Sequence, residues 1–160
     1  MAEISFTKVD LPYGWLGNMY ASPITYNGLV YKTSEALFQC LRFDNPEITE
    51  LIRTQKSPMA AKMVTKPYKK QMIIAPREKE DIQNMALCLQ LKFDQHPALK
   101  EKLLITKDHI LIEDIGNRNG EKHLFWGMKK INGVWTGNNM MGKLLMELRE
   151  KYKQGRDESL

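Results

Sequence analysis

The sequence predicts a mostly helical α+β protein that forms a single domain with a few short strands. A chain of 160 residues with 42% hydrophobic residues is long enough to bury one sizeable core. Apolar residues recur at helical spacing through the middle of the chain, most clearly over residues 78–94. Short β-rich runs flank an Asn-Gly pair near the N-terminus, which is typical of a β-hairpin.

The first elements are expected to be a strand, a loop and this hairpin. Weak alternation of apolar and polar residues predicts the strand over residues 4–9. Pro and Gly make residues 10–18 a loop. Residues 24–31 then form the hairpin around Asn27-Gly28, and the chain passes directly from it into a short helix.

Four further helices are predicted in the middle of the chain, over residues 47–54, 58–65, 78–94 and 97–106. Pro46 and Ser57 mark two of the starts, because proline is tolerated in a first turn and serine is a favourable cap. After these helices the predicted order is a strand over 109–115, a polar loop over 116–122, an apolar strand over 124–127, a turn over 136–139, a helix over 140–153 and a flexible tail over 154–160.

Composition and charge indicate which compartment and which kinds of ligand suit this protein. The net charge of +5 and pI near 9.1 suit an anionic partner, whether a phosphate metabolite, a nucleotide or nucleic acid, and equally suit a solvated basic surface. Cys40 and Cys88 lie among apolar neighbours, so they are expected to be buried thiols in a reducing compartment. The three histidines have no zinc-site spacing, and no metal or cofactor is expected. No apolar run reaches membrane-spanning length, which predicts a cytoplasmic protein without a membrane partner.

The short helix after the hairpin carries the first candidate site. It begins at a Thr33 or Ser34 cap, and its apolar residues make one buried side. Glu35, Gln39 and Arg42 are four and three residues apart, so they are expected to share a helix face. A carboxylate, an amide and a guanidinium on one stripe could hold a polar ligand and do acid–base work. The alternative is a solvated face with an internal ion pair.

Two further groups of polar residues stand where packing does not require them. Glu113 and Asp114 end a buried strand. The turn Thr136-Gly137-Asn138-Asn139 comes directly before the last helix, where free backbone N–H groups and the positive end of the helix dipole favour a phosphate. A plain N-terminal cap is the alternative interpretation of that turn.

Taken together, several short blocks resemble the NADAR or YbiA-like family in order and spacing over roughly 130 residues. The blocks are Tyr13-Gly14, Asn18, Pro23-Ile24, Thr33-Ser34-Glu35, Phe38-Gln39, Phe43, Ser57-Pro58-Met59, Ala61, Lys92-Phe93, Gln95-His96, Leu103-Leu104, Thr106, Glu113, Trp126-Gly127, Gly137-Asn138 and the stretch from Gly142 to Arg149. The resemblance implies a YbiA-like domain over residues 1–153.

The resemblance also implies an activity, which is hydrolysis of the bond between ribose C1′ and nitrogen. The substrate types of the family are phosphorylated ribosylamino-pyrimidines of riboflavin synthesis and ADP-ribose attached to guanine. We expect the first type, a small phosphorylated ribosyl compound. The alternatives are ADP-ribosyl-guanine in modified nucleic acid, and a non-catalytic module that binds ADP-ribose or NAD.

Two residues are implied as catalytic. Glu35 matches the acidic residue of the family's Ser-Glu motif and would stabilise an oxocarbenium-like transition state or activate water. Lys92 matches the family's Lys-Phe pair and is the second candidate, as a nucleophile that forms a Schiff base with the opened sugar. A favourable position in the last turn of its helix would explain Lys92 equally well.

The remaining implied residues would bind substrate. Trp126 would stack on the base or sugar, or is a core tryptophan. Gly137 and Asn138 would bind sugar hydroxyls or phosphate, with Asn18 and Gln39 as further polar contacts. Glu113 would hold a ribose diol, orient Lys92 or be a plain strand-end charge. Arg42 would bind or orient phosphate, with a geometry altered from the lysine of many relatives.

Three positions depart from the family pattern. His123 stands where relatives usually carry an acid, three residues before the Trp-Gly pair. Arg77 lies near the position of a family tryptophan, and Gly17 replaces a frequent serine. The change at His123 implies either a shifted substrate choice or reduced activity. The whole prediction requires Glu35, Trp126 and Asn138 to meet in one cavity.

Overall fold

The structure, a computed structural model, describes residues 2–158 and is mostly helical with three two-stranded sheets. This confirms the predicted α+β class. The chain divides into two compact units. The central unit is Asn18–His96, and the terminal unit combines Met1–Gly17 with Pro97–Leu160. That the two units form one domain stays a prediction.

The central unit opens with the predicted hairpin. Strands β2 (Ile24–Tyr26) and β3 (Leu29–Tyr31) pair antiparallel around Asn27 and Gly28. Both turn residues have positive φ, as a two-residue turn of matching twist requires. The side chain of Gln95 donates to and accepts from the backbone of Thr25, which ties the hairpin to the end of the longest helix of this unit.

Four helices follow the hairpin: α1 (Ser34–Cys40), α2 (Pro46–Arg53), α3 (Pro58–Met63) and α4 (Lys79–Gln95). Their starts follow the local rules, because Thr33, Asn45 and Ser57 each accept a hydrogen bond from the first turn of the following helix. Helix α1 packs on α2, α3 and α4 and is buried along its whole length, so its polar residues lie inside the protein.

The terminal unit is built on a parallel pair of strands, β1 (Glu3–Phe6) and β4 (Ile110–Glu113). A second hairpin pairs β5 (Lys129–Ile131) with β6 (Val134–Thr136). The helices are α5 (Pro97–Ile105), α6 (Glu121–Trp126) and α7 (Met140–Glu158), and α7 packs on β4, α5 and α6.

Two predictions for the terminal unit are wrong. The apolar run over residues 124–127, predicted as a strand, lies mostly in helix α6, and the β5–β6 hairpin was not predicted. Helix α7 continues beyond Lys153 to Glu158, into the segment predicted as a flexible tail. Ser159 and Leu160 lie outside the described residues. Within the described part of the chain, none of the helices has the length and apolar character needed to cross a membrane.

Candidate functional site

Glu35 is held inside the central unit by two amide side chains. It lies in the first turn of α1 and is only 7% exposed. Asn18 Nδ2 donates to Glu35 Oε2 at 2.7 Å, and Gln39 Nε2 donates to Glu35 Oε1 at 2.9 Å. The predicted pairing of Glu35 with Gln39 on one helix face is therefore confirmed. The alternative, a solvated face, is wrong because both side chains are buried.

Asn18 is itself fixed against the start of α1. The Ser34 hydroxyl lies within hydrogen-bonding distance of the Asn18 side-chain oxygen, and it also reaches the Asn18 backbone oxygen at 3.0 Å. The backbone N–H of Glu35 donates to the same backbone oxygen at 3.1 Å. Three contacts thus connect the segment before the hairpin to the first turn of the helix that carries the carboxylate.

Lys92 is the second candidate in the central unit, and its side chain is fully buried in α4. Burial lowers the pKa of its amine from 10.5 to about 7. The rings of Tyr20 and Phe93 lie near the ammonium, with Lys92 Nζ 5.7 and 5.2 Å from their centroids. At neutral pH a substantial fraction of this amine is uncharged, which is the form that acts as a nucleophile or base.

Cys88 lies on the same helix as Lys92, and the charge of Glu35 affects its pKa. Burial, and after it the negative charge of Glu35, raises the pKa of the Cys88 thiol well above its usual range. Cys88 and Lys92 are four residues apart and share a face of the helix. Helix α1, which carries Glu35, packs on α4, which carries Lys92. That the carboxylate and the amine act on one substrate stays a prediction.

Arg42 differs from its prediction. Helix α1 ends at Cys40, so Arg42 lies beyond the predicted helix face. Its Nε and terminal nitrogen donate to the two carboxylate oxygens of Asp81 at 2.9 and 2.7 Å, and its guanidinium lies 4.5 Å from the ring centroid of Phe38. The fully buried Asp81 carboxylate also accepts from the backbone of Arg77. These donors are committed to protein, and Asp81, which sequence reasoning missed, gives Arg42 a structural role.

In the terminal unit, Glu113 ends β4 as predicted and is half-buried. Its backbone N–H donates to the side-chain oxygen of Asn139, whose amide in turn donates to the backbone of Leu111. Asn139 is buried and joins the end of β4 to the start of α7. Sequence reasoning missed this role, because Asn139 is 26 and 28 residues away from its two partners in the chain.

Two backbone N–H groups of the turn before α7 already donate hydrogen bonds within the protein. The N–H of Asn138 donates to Leu124 at 2.7 Å, and that of Asn139 donates to Gly127 at 3.2 Å. The prediction of free N–H groups is therefore wrong at these two positions. A Cβ on Gly137 would lie 2.5 Å from the backbone oxygen of Gly127, so the turn requires glycine there. Asn138 is exposed and its side chain is accessible to a ligand.

Trp126 is the last residue of α6 and is half-buried. Its ring lies edge-to-face on Phe125, with centroids 5.0 Å apart. His123 stands three residues earlier in the same short helix, so the histidine at the departure from the family pattern shares a face with the indole.

The structure thus joins Asn18, Glu35 and Gln39 directly and places Lys92 in the same unit. It places the other predicted ligand-binding residues in the terminal unit: Glu113, Trp126, Gly137 and Asn138. That the two groups meet around one substrate stays a prediction.

A groove of about 390 Å³ in the terminal unit includes Asp114, one of the two strand-end acids, but none of the residues implied as catalytic or substrate-binding. It is lined by Ser5, Asp114, Gly116, Asn117, Lys129, Lys130 and Trp135. Among residues 2–158, no group of His, Cys, Asp or Glu side chains has the arrangement of a metal site.

Comparison with known proteins supports the implied family. The family model of the NADAR domain matches residues 5–153. The N-glycosidase YbiA of Escherichia coli (strain K12) is 35% identical over 152 residues, which cover 92% of this chain and 87% of that protein. A riboflavin biosynthesis protein of Vibrio vulnificus (strain YJ016) is 27% identical over 94% of this chain and 39% of its own length. The NMR structure of E. coli YbiA superposes with a TM-score of 0.75 at 33% identity, covering 97% of this chain and 87% of that one.

Proposed function

Because this chain belongs to the NADAR family and is an N-glycosidase, we propose that it hydrolyses the ribosyl C1′–N bond of a phosphorylated ribosylamino-pyrimidine. The similarity to both YbiA and a riboflavin biosynthesis protein supports this substrate class. The net charge of +5 is compatible with a substrate that carries phosphate.

The observation that carries the proposal is the buried carboxylate of Glu35 with one amide donor on each oxygen. Cleavage of a C1′–N bond develops positive charge on the sugar, and a preorganised carboxylate beside C1′ stabilises that charge. The two donors hold the side chain in one position, so little reorganisation is needed when the charge develops. Glu35 would also orient the water that attacks C1′.

Lys92, in the same unit, offers a second catalytic mechanism. Its uncharged amine would attack C1′ of the opened sugar, release the base and leave an imine that water then hydrolyses. In the direct route it would instead supply a proton to the leaving nitrogen and return to the uncharged state. A pKa of about 7 suits both roles at neutral pH.

The terminal unit would hold the rest of the substrate. Trp126 would stack on the base, since its indole is only half-buried. The exposed Asn138 amide would bind sugar hydroxyls or phosphate, and Glu113 would hold the ribose diol. Arg42 is given no phosphate contact in this scheme, because its Nε and one terminal nitrogen donate to Asp81.

Mass spectrometry of the products tests the proposal. The purified protein is incubated with ribosylaminopyrimidine phosphates, and we expect release of ribose 5-phosphate. Glu35→Gln should slow release by about 10²–10³-fold, whereas Lys151→Ala, on an exposed position of α7, should retain it. Release by Glu35→Gln at the wild-type rate would contradict the role of the carboxylate.

Trapping with borohydride distinguishes the imine mechanism from direct hydrolysis. If Lys92 forms an imine, borohydride added during turnover reduces it and leaves the sugar attached to the protein. The mass increase should map to the peptide containing Lys92 and should be absent in Lys92→Ala. Turnover without any adduct, together with retained activity in Lys92→Ala, would favour direct hydrolysis.

One observation favours the alternative substrate, ADP-ribosyl-guanine in nucleic acid. Between Thr54 and Arg77 the sequence has six Lys or Arg residues and no acid, which leaves 18 cations and 19 acids in the rest of the chain. Such a segment favours a polyanion. An ADP-ribosylated oligonucleotide cleaved faster than the pyrimidine substrates would select this alternative. Tight binding of ADP-ribose by calorimetry without turnover of any substrate would select the non-catalytic module instead.

A further inference from the structure

We propose that Ser34 is a positioning residue whose hydroxyl holds the Asn18 amide in the orientation that places its NH₂ group against Glu35. This inference rests on the role proposed above for Glu35. It concerns a residue that does not itself contact the carboxylate through its side chain in the described hydrogen-bond network.

The argument starts from the two ends of the amide. An asparagine side chain has an oxygen that only accepts and a nitrogen that only donates, and rotation by a half turn exchanges them. In the structure the nitrogen donates to Glu35 at 2.7 Å, and the oxygen lies beside the Ser34 hydroxyl. Ser34 is fully buried and Asn18 is 5% exposed, so the partners of both side chains come from the protein.

The opposite orientation would bring an amide oxygen against a carboxylate oxygen. Both atoms are acceptors, and an unsatisfied pair of acceptors in a buried position is costly. The acceptor-only carboxylate of Glu35 therefore selects this orientation. The Ser34 hydroxyl can donate to the amide oxygen at the other end and so holds the amide in it. Ser34 and Glu35 are neighbours in α1, so one helical turn carries both the carboxylate and the group that aligns its donor.

The hydroxyl is not needed to start the helix. Thr33, and not Ser34, accepts the capping hydrogen bond from Ala36. The one proton of the Ser34 hydroxyl has two acceptors within reach, the backbone oxygen and the side-chain oxygen of Asn18. Loss of this hydroxyl is therefore expected to disturb the alignment of the site more than the helix that carries it.

A double-mutant cycle tests the proposal. We expect Ser34→Ala to lower kcat about tenfold with little change in KM, because one aligning hydrogen bond is lost. In an Asn18→Ala background, Ser34→Ala should have no further effect on kcat, since the group it orients is absent. Equal effects of Ser34→Ala in both backgrounds would overturn the proposal. Ser57→Ala removes a capping hydroxyl from α3 and serves as the control that should lower stability but keep kcat.

NMR of the wild-type protein provides a readout that needs neither a variant nor turnover. The Asn18 side-chain NH₂ protons should exchange slowly and show contacts to the Glu35 side chain. Contacts to Ser34 instead would show the opposite orientation and overturn the proposal even if Ser34→Ala fails to fold. Failure of the proposed function is distinct, because it appears as no release of ribose 5-phosphate by the wild-type protein, whatever the orientation of the amide.

Discussion

The burial of Lys92 predicts a specific dependence of stability on pH. Its pKa falls from 10.5 to about 7 on folding, and its side chain is fully buried. Between these values the unfolded chain binds a proton that the folded chain lacks, so the free energy of unfolding rises with pH. From pH 7.5 to 9.5 this single group should add about 2.5 kcal/mol to the free energy of unfolding.

Lys92→Met removes the titrating group and keeps a side chain of similar length. We expect the variant to lack that rise, so its stability relative to wild type should fall by about 2.5 kcal/mol across the same interval. Urea denaturation at a series of pH values measures the difference, and other titrating groups cancel in the comparison. Lys151→Met, on an exposed position of α7, should follow the wild-type curve. Parallel curves for Lys92→Met and wild type would refute the low pKa of the buried amine.

Three other substitutions have defined outcomes. Glu35→Gln should lower kcat by about 10²–10³-fold, measured by product release, because it removes a preorganised charge; a loss below tenfold would contradict this. Asp81→Asn leaves the bound guanidinium without its buried partner charge and should cost about 3 kcal/mol, visible as a Tm lower by roughly 10 °C; an unchanged Tm would argue against a structural ion pair. Gly142→Ala places a Cβ 2.0 Å from the backbone oxygen of Leu111 and should cost at least about 2 kcal/mol, whereas Gly155→Ala in the same helix meets nothing within 4 Å and should stabilise by about 0.5–1 kcal/mol. Equal denaturation midpoints for the two alanine variants would exclude the close contact.

Elements specified by nearby residues were predictable from the sequence. The Thr33 cap, the Asn27-Gly28 turn and the long helix α4 depend on chemistry within a few residues, and the structure confirms all three. The second hairpin carries the same type of signal, Asn132-Gly133 with positive φ, and was predictable on the same grounds. The run Leu124-Phe125-Trp126 was too short for periodicity to separate a strand from a helix.

In the candidate site, too, contacts between nearby residues were predictable and contacts between distant residues were not. The Glu35–Gln39 contact follows from a spacing of four residues in a helix. The partners of Arg42 and Glu113 do not, because Asp81 and Asn139 come from distant parts of the chain. The burial that lowers the pKa of Lys92 also depends on tertiary packing, which residue spacing alone does not report.

The parallel pairing of β1 with β4 constrains how this protein can be completed during synthesis. Glu3 lies opposite Ile110, so the first strand emerges from the ribosome long before its partner exists. The central unit uses only the contiguous stretch Asn18–His96 and can form in that interval. Until residues 110–113 emerge, residues 3–6 present an unpaired edge, the kind of surface at which nascent chains misassemble.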